Sequence, residues 1–364
     1  MKSIIKTISK PFAKSHLYKS YLGKRTDDVG YNKFKNNYNL SHTLTSLDKK
    51  EIKQRWGSIV KSPLSWGYDF FEMAKALYGF NADFLPSSYY MPYVFELLNS
   101  PEALSLLAHK GLQKLFFRNI SQPITIATCI AGILYDNDYN PINQKSLYNE
   151  LQNIDFIIKP ASDSSMGRGV KLVRQNDNID LKNLVDSYKN NFIIQKIVSQ
   201  SEFTKSLNPT SLNCMRITTL NLNNKISAEN RIIKIGAKGQ IVDNIGSGSG
   251  GMMIELNSKG VINDFGFRVD GTKTSTKHDG QPFSKLEVPN FQNVIDFAIM
   301  CHEMIPSMGI VGWDIALDSH NNPVLIEANT YWPGITIEQL AGGAIFGDRT
   351  DEVIEYIKLE LKNR

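Results

Sequence analysis

Apolar positions at helical spacing dominate the first third of the chain. They predict helices at residues 46–60, 69–80, 92–98 and 101–117. Ser46 is the candidate N-cap of the first of these helices. Residues 1–40 are polar and are predicted to be loosely ordered. The first 118 residues are therefore predicted to form a mainly helical region.

Short β-like runs replace the helical pattern after residue 118. They predict strands at residues 125–131, 156–159, 192–198, 214–222, 225–235, 251–256, 311–317 and 323–328. Residues 257–289 predict loops and hairpins, whereas residues 289–307 and the segment from Asp351 return to helix. Helices followed mostly by strands predict an α+β fold instead of alternating βαβ units.

The strands at 311–317 and 323–328 flank an Asn-rich turn and predict a β-hairpin. Centring that turn places Asp314 directly opposite Glu327, and period-two alternation brings Asn329 to the same face. Two opposed carboxylates repel each other, and a divalent cation between them would remove that cost. Two carboxylates and an amide oxygen are hard ligands that suit Mg²⁺. A slip of one residue would instead put the two acids on opposite faces.

A second polar segment follows the predicted strand that ends at Lys159. Its loop carries Ser164, Ser165, Gly167 and Gly169. Glycines allow a ligand to approach the backbone, and exposed amides, hydroxyls and a lysine can hold phosphate oxygens. The segment is not a Walker loop, because it lacks the Gly-Lys-Ser/Thr end that leads into a helix. Alone it predicts a flexible turn as readily as a phosphate site.

Charge and cysteine content exclude several classes of protein. The net charge of +5 is small for 364 residues, and the basic residues are scattered instead of forming the single patch typical of nucleic-acid binding. No nucleic-acid partner is therefore predicted, and the excess fits an acidic or phosphorylated substrate. Cys129, Cys214 and Cys301 lie far apart without metal-ligand spacing, which indicates a reducing, cytoplasmic compartment.

Lysines recur every four residues in segment 1–14. On a helix they would form a basic face beside an apolar one, which could associate weakly with an anionic membrane surface. An ordinary surface helix is the favoured alternative, because amphipathic helices commonly face a core and Pro11 opposes a long helix. The segment lacks the pattern of a signal peptide.

The order of these motifs resembles the ATP-grasp superfamily, and it is most similar to the branch associated with bacterial sugar transfer and surface-polysaccharide loci. The resemblance runs from about Lys110 to Gln339. The loop after Lys159 resembles the flexible loop that covers the phosphates, and residues 193–198 resemble the hinge strand beside the adenine. The resemblance implies an ATP-grasp fold with a small lobe at residues 119–195, a large lobe at 196–364 and the helical region at 1–118.

The resemblance also implies ATP and Mg²⁺ as cofactors and a set of site residues. The implied metal ligands are Asp314, Glu327 and Asn329. The implied nucleotide-binding residues are Lys110, Lys159, Ser164, Ser165, Gly167, Gly169, Gln195, Lys196, Ile197 and Glu202. Lys196 stands where the family often has an acidic residue, so Glu202 is the alternative partner of the ribose hydroxyls.

The catalytic candidates are Arg216, Arg231 and Lys234. Arg231 and Lys234 are three residues apart on one predicted strand and face opposite ways, so only one of them should reach the site. The geometry leaves this choice open, and the resemblance favours Lys234.

The resemblance implies a carboxylate–amine ligase. ATP would phosphorylate a substrate carboxylate, and an amine would then displace phosphate from the acyl phosphate. The implied partners are small-molecule or glycan substrates, with an amino acid or amino sugar joined to a sugar acid. Two alternatives remain: an ATP-grasp kinase that phosphorylates a sugar hydroxyl, and a non-catalytic ATP-binding module. No particular oligomeric state is predicted.

Overall fold

The structure is a computed structural model that describes residues 16–38, 40, 43–61, 63, 66–162, 167–243, 250–283, 285–331 and 333–363. Its N-terminal part is helical, as the sequence predicts. The helices are α1 (His16–Tyr38), α2 (Ser46–Trp56), α3 (Tyr68–Tyr78), α4 (Ser87–Tyr89), α5 (Phe95–Leu98), α6 (Pro101–Leu107) and α7 (Lys110–Phe116), with a π-helical turn at Tyr90–Val94. Segment 1–14, with its basic pattern, lies outside the described residues.

Three details of this helical region differ from the prediction. The N-cap of α2 is Thr45 instead of Ser46, because the Thr45 hydroxyl and the Asp48 carboxylate form a reciprocal capping box. The single helix predicted at 101–117 is two helices, and His109 caps the second through its ring nitrogen. Residues 16–38, predicted to be loosely ordered, form the long helix α1.

Helix α1 is stabilised by buried polar groups with distant partners. Asp27 is buried, and its two carboxylate oxygens accept the backbone N–H groups of Ser87 and Ser88, each at 3.0 Å. A Cβ on Gly23 would lie 2.3 Å from the Ser87 carbonyl oxygen, so the two backbones touch. At the C-terminal end, the Tyr38 hydroxyl donates to the Gly271 carbonyl at 3.0 Å. These contacts hold α1 at its middle and at its C-terminal end.

A five-stranded antiparallel sheet follows in the chain. Its strands are β1 (Thr125–Ile130), β2 (Ile133–Tyr135), β3 (Phe156–Pro160), β4 (Lys171–Val173) and β5 (Phe192–Lys196), in the order β2-β1-β5-β3-β4. Helices α8 (Gln144–Leu151) and α9 (Leu181–Ser187) pack their leucines against Phe156, Phe192 and Ile194. This small sheet therefore has a hydrophobic core of its own.

A seven-stranded antiparallel sheet forms the larger part of the structure. Its strands are β6 (Cys214–Leu222), β7 (Lys225–Ile235), β8 (Met252–Glu255), β9 (Gly266–Phe267), β10 (Lys273–Thr274), β11 (Ile310–Leu317) and β12 (Pro323–Asn329), in the order β10-β9-β8-β7-β6-β11-β12. The accompanying helices are α10 (Glu202–Leu207), α11 (Phe291–Glu303), α12 (Ile335–Gly342) and α13 (Thr350–Asn363), with a 3₁₀ turn at Gly347–Arg349. Antiparallel sheets combined with helices confirm the predicted α+β class.

The large sheet and the N-terminal helices share one hydrophobic core. Trp56 and Phe70 from the helices belong to the same buried cluster as Leu220 and Trp313 from the sheet. The helical region thus packs directly on the large sheet, while the small sheet packs around its separate core.

Helix α7 is bonded to both sheets. Its first backbone N–H, at Lys110, donates to the Ala161 carbonyl just after β3 at 2.7 Å. The Gln113 amide donates to the Ala328 carbonyl at 2.6 Å and accepts the Ala328 N–H at 3.1 Å. The Leu325 N–H, also on β12, donates to the Ser121 carbonyl at 2.9 Å. These bonds place the start of α7 beside the outer edge of β12.

Candidate active site

A cleft of about 1520 Å³ lies between the small and large sheets. Strands β3 and β4 and the end of β5 line one side, and strands β6, β7, β11 and β12 line the other. Helices α1, α7 and α12 complete its walls. The three buried cysteines are free thiols, and Cys214 is one of the lining residues.

The β11–β12 hairpin has the predicted pairing at the two acids. Asp314 lies directly opposite Glu327, and Gly312 lies opposite Asn329. The ladder shifts by one residue between Asp314 and Ile315, so a bulge separates this part of the hairpin from its turn. Asp314, Glu327 and Asn329 all line the cleft, and the Asn329 amide donates to the Asp314 carboxylate at 3.2 Å.

Two cations hold the Asp314 carboxylate. Arg216, paired with Asp314 across β6 and β11, binds it in a fork with distances of 2.7 and 3.1 Å, and the Lys234 ammonium lies 3.0 Å away. Burial acts to raise the pKa of Asp314, but Arg216 and Lys234 outweigh burial and hold that pKa well below its ordinary value. Asp314 is therefore a carboxylate anion that is paired with two cations.

The second acid, Glu327, faces two lysines. The Lys110 ammonium lies 2.9 Å from the Glu327 carboxylate. Lys159, at the end of β3, lines the same part of the cleft. Burial lowers the pKa of Lys159 to about 8, with the charge of Glu327 opposing the shift and that of Lys110 adding to it. The negative charge of a phosphate group beside Lys159 would favour the protonated form and raise this pKa again.

These ion pairs change the electrostatic argument for a metal. The sequence argument required a cation to relieve repulsion between Asp314 and Glu327, whereas Arg216, Lys234 and Lys110 already supply positive charge. Within the described residues, no three His, Cys, Asp or Glu side chains cluster as a self-sufficient metal site. The oxygen donors of Asp314, Glu327 and Asn329 still fit the chemistry of Mg²⁺, with other ligands completing its shell.

The glycine loop is described in part. Gly167 lines the cleft. Gly169 has a φ of +78°, and a Cβ at this position would clash with the ring of Pro160. The Tyr188 hydroxyl donates to the Gly169 carbonyl at 2.6 Å, which ties this end of the loop to the small sheet. Ser164 and Ser165 lie outside the described residues.

The adenosine candidates lie together at the end of β5 and the start of α10. Gln195, Lys196, Ile197 and Glu202 all line the cleft. The Lys196 N–H donates to the Ile124 carbonyl at 2.8 Å and is therefore already used within the protein. Glu202 is exposed and pairs with Lys205 one turn along α10, at 3.2 Å.

Lys234 lines the cleft and Arg231 does not, because strand alternation points the two side chains to opposite faces of β7. Lys234 reaches Asp314 and also lies 3.1 Å from Asp243. Arg231 does not line the cleft, and its guanidinium donates to the Ala228 carbonyl at 2.6 Å. Arg231 therefore does not reach the cleft, because it projects from the other side of β7.

Two further acids of the cleft, the buried Glu338 and the half-buried Asp243, were not among the candidates from the sequence analysis. Glu338 on α12 pairs with Arg216 and accepts the Thr218 hydroxyl at 3.0 Å. Burial raises the pKa of Glu338 and of Asp243, and the neighbouring Arg216 and Lys234 respectively oppose the shift. The sequence Val242-Asp243-Asn244 is one of the segments in which the chain resembles the family, so Asp243 could have been found from it. Glu338 had no such signal, because α12 was not predicted.

The fold and the cleft, with acidic and basic side chains meeting between two α+β lobes, define an ATP-grasp protein. The model of the sugar-transfer associated ATP-grasp family matches residues 93–355, so this chain belongs to that family. No significant match is found among curated proteins. The match begins after α1–α4 and includes both sheets.

Solved structures similar to this chain include three enzymes. D-alanine–D-alanine ligase from Bacillus anthracis is 15% identical over 71% of this chain, with a TM-score of 0.41. The Coxiella burnetii D-alanine–D-alanine ligase is 13% identical over 76%, with a TM-score of 0.44. Biotin carboxylase from Campylobacter jejuni is 14% identical over 72%, with a TM-score of 0.44. This chain spans 69, 64 and 48% of those three chains, respectively.

Within the described residues, no helix combines the length and apolar character needed to cross a bilayer.

Proposed function

We propose that this protein is an ATP-dependent carboxylate–amine ligase that joins an amino acid or amino sugar to a sugar acid during synthesis of a surface polysaccharide. Membership of the sugar-transfer associated ATP-grasp family supports the substrate class. The reaction would consume ATP, release ADP and phosphate, and form one amide bond.

The single observation that carries the proposal is the mixed charge of the cleft. Lys110, Lys159, Arg216 and Lys234 meet the carboxylates of Asp314 and Glu327 in one cavity. Fixed cations next to oxygen ligands are what phosphoryl transfer requires, because charge on the transferred phosphoryl group must be neutralised in a defined position. A site for neutral substrates would have no need for so many charged groups in one cleft.

Asp314, Glu327 and Asn329 are the residues that would hold Mg²⁺ in this site. When bound, Mg²⁺ supplies positive charge to the phosphate oxygens and orients them. The Glu327 side chain is 30% exposed and has one lysine partner, whereas Asp314 is held by two cations. Glu327 is therefore the carboxylate more readily available to the ion.

The remaining residues would bind and orient the substrates. Lys159 and the Gly167–Gly169 end of the loop would contact phosphate oxygens from the side of the small sheet. Arg216, held by Asp314 and Glu338, would stabilise the negative charge that develops on the transferred phosphoryl group and on the tetrahedral oxyanion. Water exclusion between the sheets would protect the acyl phosphate from hydrolysis. Gln195, Lys196, Ile197 and Glu202 would contact adenosine.

An ADP-release screen that pairs amino acids with sugar acids tests the proposal. Glu327→Gln is the informative variant, because it removes a charge while leaving the Arg216–Asp314 pair intact. Asp314→Asn is less suitable, since breaking a buried ion pair typically destabilises a protein by about 3–5 kcal/mol. Glu303→Gln, at an exposed position on α11, is the matched control.

We expect wild type and Glu303→Gln to release ADP with a cognate pair, and Glu327→Gln to lose at least about 100-fold in turnover, as for other removed electrostatic groups. Mass spectrometry of the product should find an amide. A stable phosphoester would identify a kinase instead. Unchanged turnover in Glu327→Gln would contradict the assignment of this acid.

A further inference from the structure

Helix α1 forms a wall of the cleft that lies before the part of the chain matched by the family model. Leu22, Arg25, Val29 and Lys33 all line the cavity. Their spacing of three, four and four residues places them in one stripe along the helix. The helix therefore presents a continuous face, with two cations and two apolar side chains, to the cleft.

Helix α1 lies close to α12, which carries one of the acids bound to Arg216. Arg216, which holds Asp314, also pairs with Glu338 on α12. Two residues earlier on α12, the Thr336 hydroxyl lies 2.5 Å from the hydroxyl of Ser87, and Ser87 is bonded to Asp27 of α1. A short series of contacts thus connects α1 to the acids of the hairpin. The adenosine candidates come from different elements, β5 and α10.

The charges on this face are available to a ligand. Elsewhere on α1, Lys19 pairs with Glu96 and Lys24 pairs with Asp28. Arg25 and Lys33 are exposed, and neither has an ion-pair partner in the part of the chain that the structure describes. Two cations without counter-ions on one side of a cavity favour an anionic ligand.

The spacing of these cations indicates a ligand longer than one sugar ring. Arg25 and Lys33 are eight residues apart, which on a helix corresponds to about 12 Å. The cleft, at about 1520 Å³, also exceeds the roughly 300–1,000 Å³ of a typical small-molecule pocket. A nucleotide and an extended second substrate can therefore occupy it together. Because contacts at Asp27, in the middle of α1, and at Tyr38, at its C-terminal end, hold the helix, the backbone that carries these charges is in place before the ligand arrives.

We propose that α1 binds the carboxylate-bearing substrate as an acidic oligosaccharide, with Arg25 and Lys33 contacting carboxylates on different sugar units. This role rests on the proposed ligase function for its place in catalysis. Leu22 and Val29 pack against the apolar faces of the sugar rings between those contacts. The N-terminal helix thus determines which sugar chain enters the cleft. The residues that act on the phosphates lie on the two sheets.

Binding without turnover tests this proposal. The full-length protein, saturated with ADP and Mg²⁺, is titrated by calorimetry with tetragalacturonate and with the uncharged tetrasaccharide maltotetraose. The variants are the double substitution Arg25→Gln/Lys33→Gln and the control Lys35→Gln. Lys35 is an exposed lysine on the same helix that does not line the cleft. ADP affinity is measured for each protein to confirm that the nucleotide site is intact.

We expect wild type and Lys35→Gln to bind tetragalacturonate more tightly than maltotetraose. The double variant should bind tetragalacturonate roughly five- to tenfold more weakly, since each exposed ion pair contributes at most a few-fold. Its ADP affinity should equal that of wild type. Equal tetragalacturonate affinity in the double variant and wild type, or no binding to wild type, would overturn the proposal. Because no turnover is needed, this result is independent of whether the ADP-release screen finds a ligase reaction.

Discussion

Lys159 is the cleft residue whose charge is most sensitive to its surroundings. It is a half-buried lysine near the end of β3, and desolvation inside the cleft lowers its pKa to about 8. Two neighbouring groups, Glu327 and Lys110, act on it in opposite directions. Near neutral pH the ammonium therefore loses its proton far more easily than a surface lysine does. A bound anion would reverse this, because it favours the protonated form.

Nucleotide affinity should consequently depend on pH through Lys159. In the free protein the proton is held below about pH 8 and is lost as the pH rises through that value, so ADP affinity should be highest below pH 8. Above it, affinity should fall by up to about tenfold per pH unit. The measurement is a titration with ADP and Mg²⁺ from pH 7 to 9.5.

Lys159→Arg is the matched variant for that titration, because arginine stays protonated throughout this range. Its ADP affinity should lose most of the pH dependence above pH 8. If wild type and Lys159→Arg have the same profile, Lys159 does not contact the phosphates.

Helix α1 is an element whose stability depends on one buried carboxyl group. Burial raises the pKa of Asp27 to about 6, and the N–H groups of Ser87 and Ser88 oppose the shift without cancelling it. Folding thus favours the protonated acid. The contribution of Asp27 to the free energy of unfolding is largest below the ordinary pKa of 3.8, and it is lost as the pH rises through about 6.

Asp27→Asn should remove this dependence. The shift corresponds to a change on the order of 3 kcal/mol between pH 4 and pH 6.5. Wild type should therefore lose its advantage over Asp27→Asn as the pH rises across this interval, in urea unfolding at each pH. Asp28→Asn, which neutralises the next carboxylate along α1, is the control and should follow wild type. A constant difference between wild type and Asp27→Asn would contradict the assigned pKa.

Elements differ in how much of them the sequence could predict. The β11–β12 hairpin was predicted with the correct Asp314–Glu327 pair, because side-chain alternation and the Asn-rich turn are local signals. The bulge beside that pair could not be predicted, because the alternation of apolar and polar side chains along the strands does not indicate it. Helix α1 was missed because its buried Asp27 depends on partners about 60 residues away. The pairing of Glu338 with Arg216 spans 122 residues and was missed for the same reason.

The residues that line the cleft could also be predicted in part. Asp314, Glu327, Asn329, Lys159 and Lys110 were all named from the sequence and all line the cleft. Their neighbours' charges could not be predicted, since the sequence does not say which cations will face Asp314. The metal argument therefore overstated the repulsion between the two acids.

At the scale of the whole molecule, the chain contains two hydrophobic cores that meet at the cleft. The small sheet has one, and the large sheet shares the other with the N-terminal helices. Helix α7 links the two parts through the bonds of Lys110 and Gln113. Damage to one core should therefore affect its own part of the chain first.

Phe156→Ala tests this division. Phe156 is fully buried in the small-sheet core, and its removal should cost about 3–5 kcal/mol. Amide hydrogen exchange should rise in residues 125–196 and stay near wild type in α1–α3. Phe70→Ala, in the shared core, should instead raise exchange in both the N-terminal helices and the large sheet. A uniform rise across the chain in Phe156→Ala would show that the two cores unfold as one.

The hydrogen bonds that join Gln113 and Ser121 to β12 also affect whether the protein aggregates in concentrated solution. β12 is the border strand of the seven-stranded sheet, and border strands offer their main-chain groups as templates for strands of other molecules. At Leu325 and Ala328 those groups are already occupied by the same chain. A β-strand of another molecule therefore cannot pair with β12 at these two positions, and intermolecular β-sheet polymers cannot start there.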